Sequence, residues 1–590
     1  LMTRERDEID TEYKWDLGSL YESEDEWEEE LETVRDEIEE ISTYQGSLDS
    51  PETLLEFLEL RERLLRKVND LGSYARKRYD EDTRRDRPQE MKSLTSSLSS
   101  RLSSELSFLE PEIQEIGRES IESFIQEKEG LQEYRKFFDS ILRMKPYTRS
   151  GEIEEVLSKL GDVTDTPGSV YKALMNADMD YPDIKHGDET VEVTQANLTK
   201  LLKREDRELR RKVFNAFYGE VTDYSNTVGS TFEKNIKRNV KKAEIRGFDS
   251  ARQASLYPSK IDTEVYDVLV DTVGDSLEPL HRHLRLKKEV LDTEELRPYD
   301  VYMPVTQGDS PEIGYEDACE HVLEAVKPLG DGYVETARSG LEGTWVDVYE
   351  NRGKRGGAYS SATYDSQPYI LMNYQDDVSS MYTLAHELGH SMHSHFTSEN
   401  QPYQYSDYGI FLAEIASTVN EALLTRHLLE NTSGDLRRHA LNHYLENFRN
   451  TLYRQTLFAE FEQRIHEAAE RGEAVTASRA TEIYGELKDR FHAPVENGDM
   501  IRQEWMRIPH FYYNFYVFQY ATGISAAEKI VEKVLDGQKD QYIEFLSSGG
   551  RKYPLETLED LGIDMASGSP VRSAVSSYSD ALDRAEEELT

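Results

Sequence analysis

The residues best spaced for chemistry are His386, Glu387 and His390, an H-E-x-x-H within VSSMYTLAHELGHSMHSHF. On a helix, positions four apart stand one turn above each other on one side, so both imidazoles can turn a ring nitrogen toward one metal ion. Glu387 lies about 100° round the helix from His386, near enough to act on a water without binding the ion. The pattern is that of Zn²⁺ held by neutral histidines beside a carboxylate that takes a proton from water.

An exposed acidic helix with scattered histidines would carry the same motif, and a third ligand decides between the two. Glu414, in FLAEIASTVNEALL, follows His390 by 24 residues on a second helix-patterned run. Two His and one Glu leave a coordination position open, as catalytic zinc sites do. His393, seven residues from His386 on the same face, competes for the third place. A straight helix stretches it away from an ion held by the two lower turns, so it reads as a residue that supports the ligands or lines the cleft. Glu421, seven beyond Glu414, is a candidate acceptor for the outer ring N–H of a ligand histidine.

These residues need elements to hold them. Val378 to Phe396 is predicted as a helix with an apolar stripe of Met381, Ala385, Leu388 and Met392, capped by Ser379 or Ser380. In the second run, Phe411, Ile415, Ala422 and Leu423 pack while Glu414, Thr418 and Glu421 share the adjoining face. Just before the first helix, Gly343 to Asp376 holds Gly353, Gly356 and Gly357, and PYILMNY reads as a strand. A strand lining the cleft offers a sheet edge to a peptide backbone, with glycines permitting close approach. No G-x-x-x-x-G-K-[ST] or βαβ pattern accompanies these glycines, which disfavours a nucleotide site.

With 116 Asp+Glu against 70 Lys+Arg, the formal charge is −46. Nucleic acid and anionic membranes are therefore not partners through bulk electrostatics. So acidic a chain invites disorder, but 36 Tyr, 19 Phe and persistent helical periodicity across 590 residues argue for a sizeable core. The acidity spreads through most segments, as in a solvated surface adapted to high salt. A single cysteine, Cys319, rules out an intramolecular disulfide and a thiolate metal cluster. No run approaches ~20 apolar residues and LMTRERDEIDTEYKW lacks a signal peptide's apolar core, so a soluble, cytoplasmic chain is expected.

Elsewhere the periodicity is helical. Leu31, Val34, Ile38 and Ile41, then Leu54, Leu58, Leu64 and Val68, recur between charged residues. Leu94, Leu98, Leu102 and Leu106 make a helix of the serine-rich SLTSSLSSRLSSELSF, with a break expected at Pro111. ETVEVT alternates and reads as a short strand; helices resume from Leu201 and fill residues 431–500 and the tail.

Beyond the bare motif, HELGHSMHSHF, DYGIFLAEIASTVNE and PHFYYNFYVFQYATG resemble the oligoendopeptidase F family of zinc metallopeptidases, relatives of thimet oligopeptidase. YKWDLGSLY and VYENRGKRGGAYS extend the likeness over nearly the whole chain. The resemblance implies a mainly α fold, a large helical metallopeptidase with a deep substrate channel and a small β element beside the active-site helix. The charged helical pattern that returns at Leu201 marks the start of a catalytic domain over 201–590, after an N-terminal helical domain over residues 1–200 that the resemblance makes part of the channel wall. The resemblance implies one zinc on His386, His390 and Glu414 with Glu387 as base. It also points to Gly356, Gly357, Ala358 and Tyr359 as substrate-binding candidates.

In IRQEWMRIPHFYYNFYVFQYATGIS, Phe511, Phe515 and Phe518 read as core. A histidine and tyrosine hydroxyls are suitable donors to the oxyanion of peptide hydrolysis, and the resemblance assigns His510 and tyrosines of this segment to that work. The spacing differs from that in thimet oligopeptidase, which keeps Tyr512, Tyr513, Tyr516 and Tyr520 all as candidates. Tyr513, Tyr516 and Tyr520 would share one face of a helix, and the chosen set is His510, Tyr513 and Tyr520, with Tyr516 binding substrate.

The expectation is a zinc endopeptidase acting on short unfolded peptides, as a monomer or small homo-oligomer. One rival is a zinc exopeptidase, which needs a cation to hold the substrate's C-terminal carboxylate. The other is a helical binding protein with a vestigial metal site, against which the intact Glu387 speaks.

Overall fold

A computed structural model describes residues 4–305 and 311–589 of the chain. It is 72% helical with five short strands, so the mainly α class stands. Among the described residues, no helix is long and apolar enough to cross a membrane. The strands are β1 (Ile184–His186), β2 (Glu189–Val191), β3 (Val346–Tyr349), β4 (Tyr359–Ser361) and β5 (Tyr369–Tyr374). The first two form a hairpin, and the others a sheet of order β3-β5-β4, with β3 parallel and β4 antiparallel to β5. The strand read in ETVEVT is β2. The one read in PYILMNY is β5, but it is the central strand; the edges are β3 and β4, too short to announce themselves by alternation.

Contacts divide the chain into two units. One comprises Leu1–Pro146, Ser310–Thr432 and Ile530–Gly562, the other Tyr147–Asp309, Ser433–Lys529 and Ile563–Thr590. This grouping interleaves along the sequence and differs from a single cut at residue 200.

In the first unit, helices Glu24–Glu37, Pro51–Glu81 and Asp86–Glu105 bury Trp27, Leu31, Val34, Leu58, Leu64 and Leu98, and the same core reaches Tyr369 and Leu371 of β5. The Trp15 of YKWDLGSLY lies edge-on to Tyr369 at 6.0 Å and donates its indole N–H to Glu81 Oε1 at 2.9 Å. One aromatic thus joins a long helix to the sheet, and its polar handle is satisfied. The break expected at Pro111 comes earlier, in the 3-10 turn Leu106–Phe108. Pro111 lies in the first turn of helix Leu109–Ile116, where its missing N–H has no intrahelical partner to lose.

In the second unit, helices Ser225–Arg246 and Arg454–Glu470 stack Phe232 on Phe461 at 6.0 Å, with Trp505 and Phe511 against them. Phe511, Phe515 and Phe518 are all buried, as their apolar character requires.

Candidate active site

The H-E-x-x-H helix runs Val378–Asn400, and Met381, Ala385, Leu388 and Met392 are fully buried along one side of it. Its cap is Asp377, not Ser379 or Ser380: the Asp377 carboxylate accepts the Ser380 N–H at 2.7 Å, and the Ser380 hydroxyl accepts from Gln375 N–H. Aspartate at this position also complements the positive end of the helix.

The helix Ile410–Asn431 packs against it and carries Glu414. Gly389 permits the approach. A Cβ added there would stand 2.6 Å from Ala416 O and 2.6 Å from Ser417 Cα. Asn420 bridges the pair, donating to Ala385 O at 3.2 Å while accepting the Tyr333 hydroxyl.

Across this contact three donor atoms converge. His386 Nε2 is 3.2 Å from His390 Nε2, and Glu414 Oε2 lies 3.5 Å and 3.9 Å from them. Ligands of a tetrahedral zinc with bonds of about 2.0–2.1 Å stand about 3.4 Å apart, so the donor set and its spacing fit that ion. Among the described residues this is the group of His, Cys, Asp or Glu able to hold a metal.

The ring tautomers follow from the outer contacts. Glu421 Oε1 lies 2.5 Å from His386 Nδ1, which leaves Nε2 for the metal. Burial opposes a charge on His386, but the Glu421 hydrogen bond and the charges of Glu387 and Glu414 prevail, and its pKa is pushed up to about 9. His390 goes the other way, to about 3, through burial and the neighbouring His386 charge. A metal ion bound at His386 Nε2 would displace any proton there, leaving Nδ1–H to Glu421.

Glu387 is buried, and its carboxyl is raised above the usual range by that burial. The His386 charge and a hydrogen bond from the Ser360 backbone pull against the rise. Ser360 belongs to the edge strand β4, so the strand is tied directly to the acid. This link carried no sequence signal, since every residue except proline supplies a backbone N–H.

His393 is not among the converging donors. It is buried, its ring lies 3.5 Å from that of Tyr408 in a stack, and neither ring nitrogen has a hydrogen-bond partner. Burial drives its pKa down to about 3, so it is a neutral packing group beneath the ligands.

Gly356 and Gly357 lie exposed in a bend before β4, Gly357 with φ +86°, and Ala358 leads into the strand. Tyr359 is engaged elsewhere, its hydroxyl donating to Asp80 at 2.8 Å. The loop is anchored by a buried network in which Asp347 holds Arg6 at 2.6 Å and Lys354 at 2.6 Å.

The second unit gathers the aromatic candidates. The His510 ring lies 6.0 Å from Tyr513, 6.2 Å from Tyr516 and 6.0 Å from Tyr520, and the Tyr516 and Tyr520 rings are 5.4 Å apart. They meet as the spacing suggested, but not on one helix. His510 lies in the 3-10 turn Pro509–Tyr512, Tyr513 and Tyr516 in the following turn, and Tyr520 in helix Phe518–Leu535. Phe515, at φ +53°, reverses the chain between them. Tyr512 is set apart, buried against Tyr171 at 4.3 Å with its hydroxyl on Thr231.

Three side chains fix that turn and were invisible in the sequence. Asn235 donates to Phe511 O, Ser255 donates to Asn514 O, and Glu462 Oε1 accepts the Phe515 N–H at 2.7 Å.

Comparison with known proteins identifies the family. Residues 200–577 match Peptidase family M3, and residues 112–181 match the Oligopeptidase F amino-terminal family. The chain is 39% identical to oligopeptidase PepF of Bacillus subtilis, over 99% of this chain and 88% of that protein. It is 38% identical to group B oligopeptidase PepB of Streptococcus agalactiae, over 98% of each. The crystal structure of oligoendopeptidase-F from Enterococcus faecium superposes with a TM-score of 0.74 at 33% identity, over 96% of this chain and 99% of that one. The chain therefore belongs to peptidase family M3, among the oligoendopeptidase F proteins, and is a metalloendopeptidase.

Proposed function

We propose that the chain is a zinc-dependent endopeptidase that hydrolyses internal bonds of short unfolded peptides. The observation that supports this most is the convergence of His386 Nε2, His390 Nε2 and Glu414 Oε2 beside a buried Glu387. One Zn²⁺ would be held by those three residues and would supply a Lewis acid for the scissile carbonyl and lower the pKa of a water.

Glu387 takes the proton of the attacking water and delivers it to the leaving amine. The family resemblance assigns oxyanion stabilisation to His510, Tyr513 and Tyr520 and substrate contact to Tyr516, roles their hydrogen-bonding groups suit. The backbone from Gly356 to Tyr359 leads into the edge strand, where a peptide can add as a further strand while the Tyr359 side chain stays with Asp80.

The test uses an internally quenched peptide of about ten residues with both ends blocked, so that no exopeptidase can act. Internal cleavage should vanish with a chelator and return with Zn²⁺. Glu387→Gln should retain bound zinc and lose turnover by several orders of magnitude. Wild-type rates in that variant would remove Glu387 from its role, and cleavage only of unblocked ends would make the enzyme an exopeptidase.

A further inference from the structure

The second unit holds a partly open cavity of about 380 Å³ whose charge opposes that of the whole chain. Its wall carries Lys203, Arg449, Arg454, Lys488 and Arg507 against Glu446 and Glu504. The chain at large has 116 Asp+Glu and 70 Lys+Arg, so this concentration of cations is not an average of the surface.

The pairing inside the cavity is incomplete. Glu504 alone meets Arg454 at 2.8 Å, Lys488 at 2.8 Å and Arg507 at 3.4 Å, and it also accepts the Tyr484 hydroxyl. Glu446 is shared between Arg449 at 2.7 Å and the fully buried Lys287 at 2.5 Å. Two carboxylates therefore answer five cations in these two groups. Guanidiniums do not discharge in a protein, so Arg449, Arg454 and Arg507 outnumber the two acids even with both lysines neutral. Uncompensated charge in a half-buried place is costly unless something of opposite sign fills the space. Gln455, also in the wall, leaves its amide oxygen without a partner. The cavity reaches His510, the residue assigned above to the substrate.

We propose that this cavity is an anion subsite that takes a carboxylate of the peptide substrate, from its C-terminus or from an acidic side chain. The guanidinium forks match a carboxylate in shape as well as charge, and the volume admits one terminal residue or side chain rather than a folded surface. This rests on the peptidase reading and adds to it a preference for peptides that present an anion.

The test is calorimetric titration of the zinc-loaded full chain with N-acetylated tripeptides, at constant ionic strength. One pair differs only in a C-terminal carboxylate or amide, and a second, amidated pair differs only in Glu or Gln. The carboxylate should bind about tenfold or more tightly in at least one pair, and the pair that responds identifies the source. In Arg454→Gln that ratio should fall toward one. Equal affinities within both pairs in the unmodified protein would overturn the subsite whatever the variant does. Chelator-sensitive cleavage of a blocked peptide, measured beside it, reports separately on the peptidase reading.

Discussion

Glu421 Oε1 stands 2.5 Å from His386 Nδ1, on the side of the ring away from His390 and Glu414. The contact fixes the tautomer and aims Nε2, and it strengthens the ring as a ligand. Glu421→Ala should weaken zinc binding by about 10- to 100-fold, read by competition against a chromogenic chelator. Glu421→Gln, whose carbonyl can still accept the ring N–H, should lose less. An unchanged affinity in Glu421→Ala would mean that packing alone orients His386.

Gly389 is the point where the two ligand helices touch. A methyl group there meets backbone of the partner helix at 2.6 Å, and backbone cannot swing aside as a side chain would. Gly389→Ala should cost about 1–3 kcal/mol of stability through forced separation, seen as a lower melting temperature. Because Glu414 rides on the displaced helix, zinc affinity should fall as well, although no ligand has been changed. A variant with wild-type stability and affinity would show that the helices have room to spare.

The contrast between these residues explains what was legible in the sequence. His386 and His390 stand out because four-residue spacing on a helix converts directly into facing, and Met381, Ala385, Leu388 and Met392 give the buried side for the same reason; Glu414 is on a second helix, and only packing brings its carboxylate near them. The cap is not Ser379 or Ser380 because Asp377, two residues before Ser379, begins the helix earlier and accepts the Ser380 N–H with a charged oxygen. The order of the sheet was not legible, since three-residue strands carry too little alternation to rank edge against centre. Glu462, Asn235 and Ser255 reach the turn at Phe515 from more than 50 residues away in sequence, and the cavity cations are likewise scattered along the chain. Such convergences belong to tertiary structure alone.

The net charge of −46 sets an expectation for salt. Like charges spread over one surface repel, and raising salt from about 0.1 M to 1 M shortens the Debye length from about 10 Å to about 3 Å. Thermal unfolding followed by circular dichroism should therefore move to higher temperature with added KCl, and activity should rise in parallel. A melting temperature independent of salt over that range would remove the idea of adaptation to high salt.

Glu462 joins stability to the aromatic cluster. It is 1% exposed, it accepts the Phe515 N–H in the left-handed turn, and its other oxygen has no partner. Burial pushes its pKa up to about 8, against a bond from Phe515 that pulls the other way. The unfolded chain gives up this proton near the ordinary 4.5, so between these values the folded state binds more protons. Its contribution to stability is therefore full below about pH 4.5 and declines as pH rises, reaching its floor above about pH 8. Glu462→Gln keeps an acceptor for Phe515 and has no proton to lose. Its melting temperature should gain on the wild type as pH rises through that window, with kcat/KM nearly unchanged. Glu462→Ala leaves the Phe515 N–H without its acceptor in a strained turn, and should lower kcat/KM by about tenfold as His510 and the tyrosines drift. Equal pH profiles for wild type and Glu462→Gln would mean that the carboxyl stays ionised, and full activity in Glu462→Ala would mean that Asn235 and Ser255 suffice to hold the turn.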